Sequence, residues 1–111
     1  MAFRQKQYYE QVYFVTEQIP IGRVSTYGAI ADYLALGSAR MVGYALSQSN
    51  ANNMTVPAHR VVNRKGELSG RHHFKPPSAM QELLEEEGVK VVDDKVVEFK
   101  ELYWHPEALD E

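Results

Sequence analysis

The strongest constraint on the fold is the run TYGAIADYLALGSARMVGYALSQS at residues 26–49. Ile30, Tyr33 and Leu34 recur at three- and four-residue spacing, and so do Val42, Ala45 and Leu46, the pattern of two amphipathic helices. Ser25 or Thr26 offers a side-chain oxygen to cap the first helix, and Ser38 offers one to the second. Gly37 sits where a helix C-terminal glycine belongs. The spacing predicts a helix over 26–35, a turn at 36–38 and a helix over 39–49. Two short helices on a tight turn make the shape of a helix-turn-helix, although helix pairs in ordinary cores share the same patterning.

The flanks give this pair something to pack on. Phe3, Tyr8, Val12 and Val15 fall at helical spacing over 3–18, with Tyr9 and Tyr13 beside them. Pro20 and Gly22 then break the chain. The segment HRVVNRKGELS reads as a strand, a glycine turn and a second strand, a possible wing. The loop GRHHFKPP is basic and irregular. A capped helix over 78–87 turns Met80, Leu83 and Leu84 inward and stops at Gly88. VKVVDDKVVEFK reads as a hairpin about Asp93–Asp94, and the tail ELYWHPEALDE is anchored by Tyr103 and Trp104. With 111 residues and no repeat or linker, the expectation is a single domain over 1–111 with an acidic tail at about 101–111.

Composition excludes some chemistry and leaves other possibilities open. The chain has no cysteine, which removes disulfides, thiolate metal sites and any thiol nucleophile. The net charge of −3 hides a split. Residues 1–75 carry nine Lys and Arg against four acids, whereas residues 76–111 carry three lysines against eleven acids. Such asymmetry hints at an electrostatic partner on one face, or at no more than a solvated surface with an acidic end. No apolar run approaches the roughly 20 residues of a membrane span, and the N-terminus does not read as a signal peptide. The expected location is the cytoplasm, at the nucleoid if the source is bacterial, with no membrane partner.

Residues 56–63, VPAHRVVN, pose the chemical question. His59 is either a satisfied core histidine or a base oriented by a carboxylate from the acidic helix end Glu85–Glu87. An oriented histidine normally activates a neighbouring nucleophile. The neighbour here is Ala58, which has none.

These residues resemble a known family. VPAHRVVN is similar to the active-site signature Pro-Cys-His-Arg-Val of the O6-alkylguanine-DNA alkyltransferases, with Ala58 at the cysteine position. IPIGRVSTYGAIADYL resembles the family's first helix-turn-helix segment, including its tyrosine at Tyr27. SARMVGYAL resembles its recognition helix, with Arg-X-Val-Gly at Arg40–Gly43. Asn50 falls at the family's asparagine, and LLEEEGVKV at the helix end carrying its glutamate, here Glu87. The five motifs are colinear over about residues 5–100. Lacking the acceptor cysteine, the chain resembles the alkyltransferase-like proteins, which bind alkylated guanine and transfer nothing.

The resemblance implies a mainly α fold with small β elements, a winged helix-turn-helix as in the alkyltransferase C-terminal domain. It implies that the partner is double-stranded DNA containing O6-alkylguanine, entered through the minor groove, with the base flipped out and flagged to nucleotide excision repair proteins. Arg40 would fill the vacated space, Tyr27 would press on the phosphate 3′ to the flipped nucleotide, and Gly43 would let helix and backbone approach. Ser47 shares that DNA-facing helix, on which Tyr44 and Ser47 are bulkier than expected. Pro57, Ala58, His59 and the SGRHH loop would line the lesion pocket, Arg71 would discriminate the lesion, and alanine would leave extra room for the alkyl group. His59, Glu87 and Asn50 would persist as a network without catalysis. No cofactor and no metal are implied, and a monomer is expected. Two other readings stay open: a winged-helix transcription regulator, and a water-dependent hydrolase of alkylated bases.

Overall fold

The computed structural model describes residues 2–52 and 54–111, with side chains from Tyr8 onward. The Phe3 side chain expected on the first helix's apolar stripe lies outside the described residues. In chain order the elements are α1 (Ala2–Gln18), β1 (Ser25–Thr26), α2 (Tyr27–Tyr33), α3 (Ala39–Ala51), β2 (Val61–Val62), α4 (Ala79–Glu86), β3 (Val91–Val92), β4 (Lys95–Val96) and α5 (Phe99–Leu102). Short 3-10 turns occupy Ala58–Arg60, Arg71–His73 and Pro106–Asp110. Among the described residues no helix is long and apolar enough to cross a membrane.

The helix-turn-helix is present where the apolar spacing places it. Thr26 caps α2 by accepting from the Ala29 N–H at 3.0 Å, which satisfies one of the orphan donors of a helix start. Ser38 takes the corresponding position at α3 but makes no side-chain cap bond. Gly37 does not end α2. Ala35 takes the left-handed conformation (φ 56°), and Leu36 N–H reaches back to the Ala31 carbonyl at 2.9 Å. That hydrogen bond closes the helix end, so the chain accepts alanine's steric penalty there.

Two apolar clusters form the core. The first packs Val12, Val15 and Ile19 of the α1 segment against Ile30 of α2 and Val42, Ala45 and Leu46 of α3. The second joins Val62, Leu68, Met80, Leu84 and Val96. Phe74 packs against both, so the loop that carries it ties the two halves. The expected wing forms differently. Val61–Val62 pairs in parallel with Ser25–Thr26 rather than with the chain after Gly66. Glu67 instead bridges to Lys95, and the hairpin lies between β3 and β4. Asp93 and Asp94 both take positive φ (53° and 59°), the geometry a tight two-residue hairpin requires. Trp104 is buried, and its backbone N–H donates to the Val24 carbonyl at 2.7 Å, anchoring the tail.

Candidate nucleic-acid interface

Helix α3 has two distinct faces. Val42, Ala45, Leu46 and Ser49 are buried, which turns Arg40, Gly43, Tyr44 and Ser47 outward along one side of an open cleft of about 440 Å³. Tyr27, Gly70 and His73 form its other side. Arg40 is exposed, and among the described residues no carboxylate stands within ion-pair distance of it. Ser47 donates to the Tyr44 carbonyl at 2.7 Å, so its hydroxyl is satisfied within the helix.

Tyr27 occupies the centre of this arrangement. Its ring lies 3.9 Å from where a β-carbon on Gly43 would stand, and its hydroxyl 2.5 Å from where one on Gly70 would stand. Burial pushes the phenol up, against a smaller lowering from the Ser69 hydroxyl, so it remains a neutral donor. Beneath Tyr27 the cleft narrows onto Ala58, which is buried on its 3-10 turn. The expected roomy pocket is not open. Leu46, Asn50, His73 and Phe74 close around the alanine methyl and leave about 10 Å³, room for roughly one water. A group as large as a nucleobase fits this space only when those side chains shift.

Behind Ala58 a single carboxylate organises the polar groups. Glu87 accepts from His59 Nε2 at 2.8 Å and from the Arg60 guanidinium through Nε at 2.9 Å and Nη2 at 2.8 Å. Arg60 Nη1 also donates to the Ile19 carbonyl at 2.9 Å, tying the pair to the end of α1. Burial alone would raise the Glu87 carboxyl, but the Arg60 fork and the His59 donor outweigh it and hold it at about 2. Burial lowers His59 despite the carboxylate beside it. The pair is therefore a neutral imidazole donating from Nε2 to an ionised glutamate. This geometry would orient a base, yet the adjacent side chain is a methyl.

The expected site residues divide. Tyr27, Arg40, Gly43, Ser47, Ala58 and the Ser69, Gly70 and His73 portion of the SGRHH loop meet around one cleft and its floor. Asn50 is on the cavity wall, apart from the His59–Glu87 pair. Pro57 and His59 frame the turn from behind and are not among the lining residues. Arg71 is turned away. Its Nη1 donates to the Leu68 carbonyl at 2.9 Å, and its Nε faces Asp94 at 3.5 Å. The 3-10 turn at 71–73 puts His73 on the cleft in its place. Phe74 was missed as a wall residue, because a lone aromatic in a basic loop carries no periodic signal.

The matching family is "6-O-methylguanine DNA methyltransferase, DNA binding domain", over residues 7–89. The chain belongs to this family. Within it the chain is alkyltransferase-like, with Ala58 where the transferases carry their acceptor cysteine. It is 38% identical to alkyltransferase-like protein 1 of Schizosaccharomyces pombe, across 93% of this chain and 99% of that protein. It is 34% identical to a DNA base-flipping protein of Vibrio parahaemolyticus, across 90% of this chain and 98% of the relative. Its fold matches the crystal structure of S. pombe Atl1 in complex with damaged DNA containing O6-carboxymethylguanine, with a TM-score of 0.80 and 35% identity over 91% of this chain and 97% of that one. It also matches Mycobacterium tuberculosis OGT in complex with DNA (TM-score 0.59, 34% identity), over 72% of this chain and 48% of that larger one.

Proposed function

We propose that this protein recognises O6-alkylguanine in duplex DNA and does no chemistry on it. The observation that carries this reading is the cleft between Arg40 and Tyr27, which ends on the Ala58 methyl where a transferase presents a thiol. Flipping a base from the stack costs roughly a few kcal/mol, less when its pairing is already weakened. Arg40, exposed and unpaired by any described carboxylate, is a planar cation suited to fill the vacated space and hydrogen-bond the orphaned cytosine. Tyr27, held between two glycines, presents a neutral hydroxyl toward the nucleotide's phosphate. Small residues such as Gly43 favour approach through the minor groove, where sequence readout is weak and a lesion in any context can be met.

The His59–Glu87–Arg60 cluster then shapes the pocket floor instead of activating a nucleophile. Relatives described as alkyltransferase-like and as base-flipping support the same reading. On this reading the protein acts as a monomer without cofactor or metal in the DNA-containing compartment. Nucleotide excision repair proteins take over the flagged lesion.

The test is binding to matched duplexes containing guanine or O6-methylguanine, followed by assay for alkyl loss. Tighter binding to the modified duplex with the alkyl group retained supports the reading. Equal affinity sinks it, and multiple turnover with released alcohol replaces it with a hydrolase. Arg40→Ala should weaken binding to the modified duplex by about tenfold or more, the scale of a lost stacking contact.

A further inference from the structure

The most exposed aromatic of the cleft, Tyr44, has no part in that reading. Tyr44 stands one helical turn beyond Arg40, so the two share a face of α3, and both line the cleft. It is 56% exposed.

A bracket of tyrosines supports it from behind. Tyr9 of α1 meets Tyr44 edge-on, with ring centroids 6.0 Å apart and an interplanar angle of 62°. Tyr9 in turn contacts Tyr8 at 5.0 Å and Tyr13 at 6.2 Å between centroids. The Tyr8 and Tyr13 hydroxyls donate to the Met41 and Ala45 carbonyls, which lie on α3 to either side of Tyr44. Burial pushes the Tyr8 phenol up to about 12 and raises Tyr13 as well, so both stay protonated donors at neutral pH. The bracket fixes α3 and limits how far the Tyr44 ring can swing toward α1. The exposed side of that ring faces the cleft.

We propose that Tyr44 is a second wedge into the DNA stack, working beside Arg40. Four helical residues advance about 6 Å, and stacked bases repeat every 3.4 Å or so along a strand. With α3 laid along the groove, the Tyr44 ring meets the duplex about two base steps from the space filled by Arg40. Apolar wedges that partly unstack base steps are a recurrent device of minor-groove binding. An aromatic ring serves any sequence because every base has a π-face. The wedge helps to open the duplex and does not read the lesion, so it contributes equally on damaged and undamaged DNA. This inference rests on the DNA-damage reading for its geometry, but its effect is measurable on undamaged duplex.

The experiment compares the wild-type protein with Tyr44→Phe and Tyr44→Ala on guanine and O6-methylguanine duplexes. A 2-aminopurine placed two steps from the modified position reports unstacking, and thermal melts confirm that the variants are folded. Tyr44→Phe should bind both duplexes like the wild type. Tyr44→Ala should weaken both by about tenfold or more, and the 2-aminopurine signal that rises on wild-type binding should stay flat. Affinities of Tyr44→Ala within about twofold of wild type, or an equal loss in Tyr44→Phe, would overturn the wedge. Equal wild-type affinity for the two duplexes would overturn the lesion reading alone, since the Tyr44 effect is also read on undamaged DNA.

Discussion

The Tyr27 hydroxyl occupies the space that a side chain on Gly70 would need, 2.5 Å from the ideal β-carbon position, while Gly43 leaves 3.9 Å to the same ring. Two glycines flank one tyrosine, but only one of them is required by packing. Gly70→Ala forces the Tyr27 hydroxyl, the far end of a partly buried side chain, to shift, which costs about 1 kcal/mol, the low end for overpacking. Gly43→Ala introduces only ordinary contact and, within a helix, stabilises by up to about 1 kcal/mol. Both changes should weaken DNA binding, the first by displacing Tyr27 and the second by adding a methyl to the cleft wall. Urea denaturation and fluorescence anisotropy separate them, because the two variants move stability in opposite directions and affinity in the same one.

Glu87 makes the floor of the site sensitive to acid. Its carboxyl is held at about 2 against an ordinary 4.5. A depressed acid stabilises the fold fully above its unfolded value and loses that contribution as pH falls from about 4.5 toward 2. His59, lowered by burial from 6.5, acts in the same direction, since the unfolded chain binds its proton first as pH drops below 6.5. Glu87→Gln leaves the Arg60 guanidinium partly buried without its counter-charge and should cost about 3 kcal/mol at pH 7. In urea melts at pH 7, 5 and 3, the gap between wild type and Glu87→Gln should narrow below pH 4.5. A constant gap would remove Glu87 as the source.

Much of this was legible in the sequence, because local physics decides it. Ile30 and Val42 carry helical periodicity, Thr26 is a cap by its hydroxyl, and Asp93–Asp94 tolerates a hairpin's left-handed backbone. The parallel pairing of Ser25–Thr26 with Val61–Val62 left no local signal, since its partners lie 36 residues apart and each strand has two residues. Motif position alone puts Arg71 at the pocket, whereas its direction is set by the Leu68 carbonyl and Asp94. The closed space above Ala58 was also out of reach. Removing a thiol suggests a void, but neighbouring side chains pack against what remains.

Ala35 and Gly37 separate the sequence expectation from the structure at the end of α2. Ala35 has φ 56°, and a residue with a β-carbon pays roughly 1–2 kcal/mol of strain there. Gly37 is not among the glycines with positive φ, and a β-carbon on it would lie 3.9 Å from the Met41 sulfur. Ala35→Gly should therefore stabilise by up to about 1 kcal/mol, raising Tm by up to about 4–8 °C. Gly37→Ala should be neutral or slightly stabilising. A large loss on Gly37→Ala would return the helix stop to Gly37.

Arg71 reaches a flipped guanine only by leaving Asp94. That ion pair is long at 3.5 Å, and both side chains are substantially exposed (33% and 49%), so releasing it costs at most about 1 kcal/mol. The Leu68 carbonyl can hold the guanidinium in place without any charge on Asp94. If Arg71 reads the lesion, Asp94→Asn should tighten binding to the O6-methylguanine duplex by up to about fivefold at low salt, through release of the arginine. Removing a surface acid also favours any duplex, so this gain must exceed that on the guanine duplex. Arg71→Ala should erase most of the preference for the modified base, and in that background Asp94→Asn should raise both affinities equally. A double-mutant cycle on the two duplexes measures this coupling. Zero coupling, with the preference intact in Arg71→Ala, would turn attention to His73, the imidazole of the lining, and the same cycle with His73→Ala would then locate the discrimination.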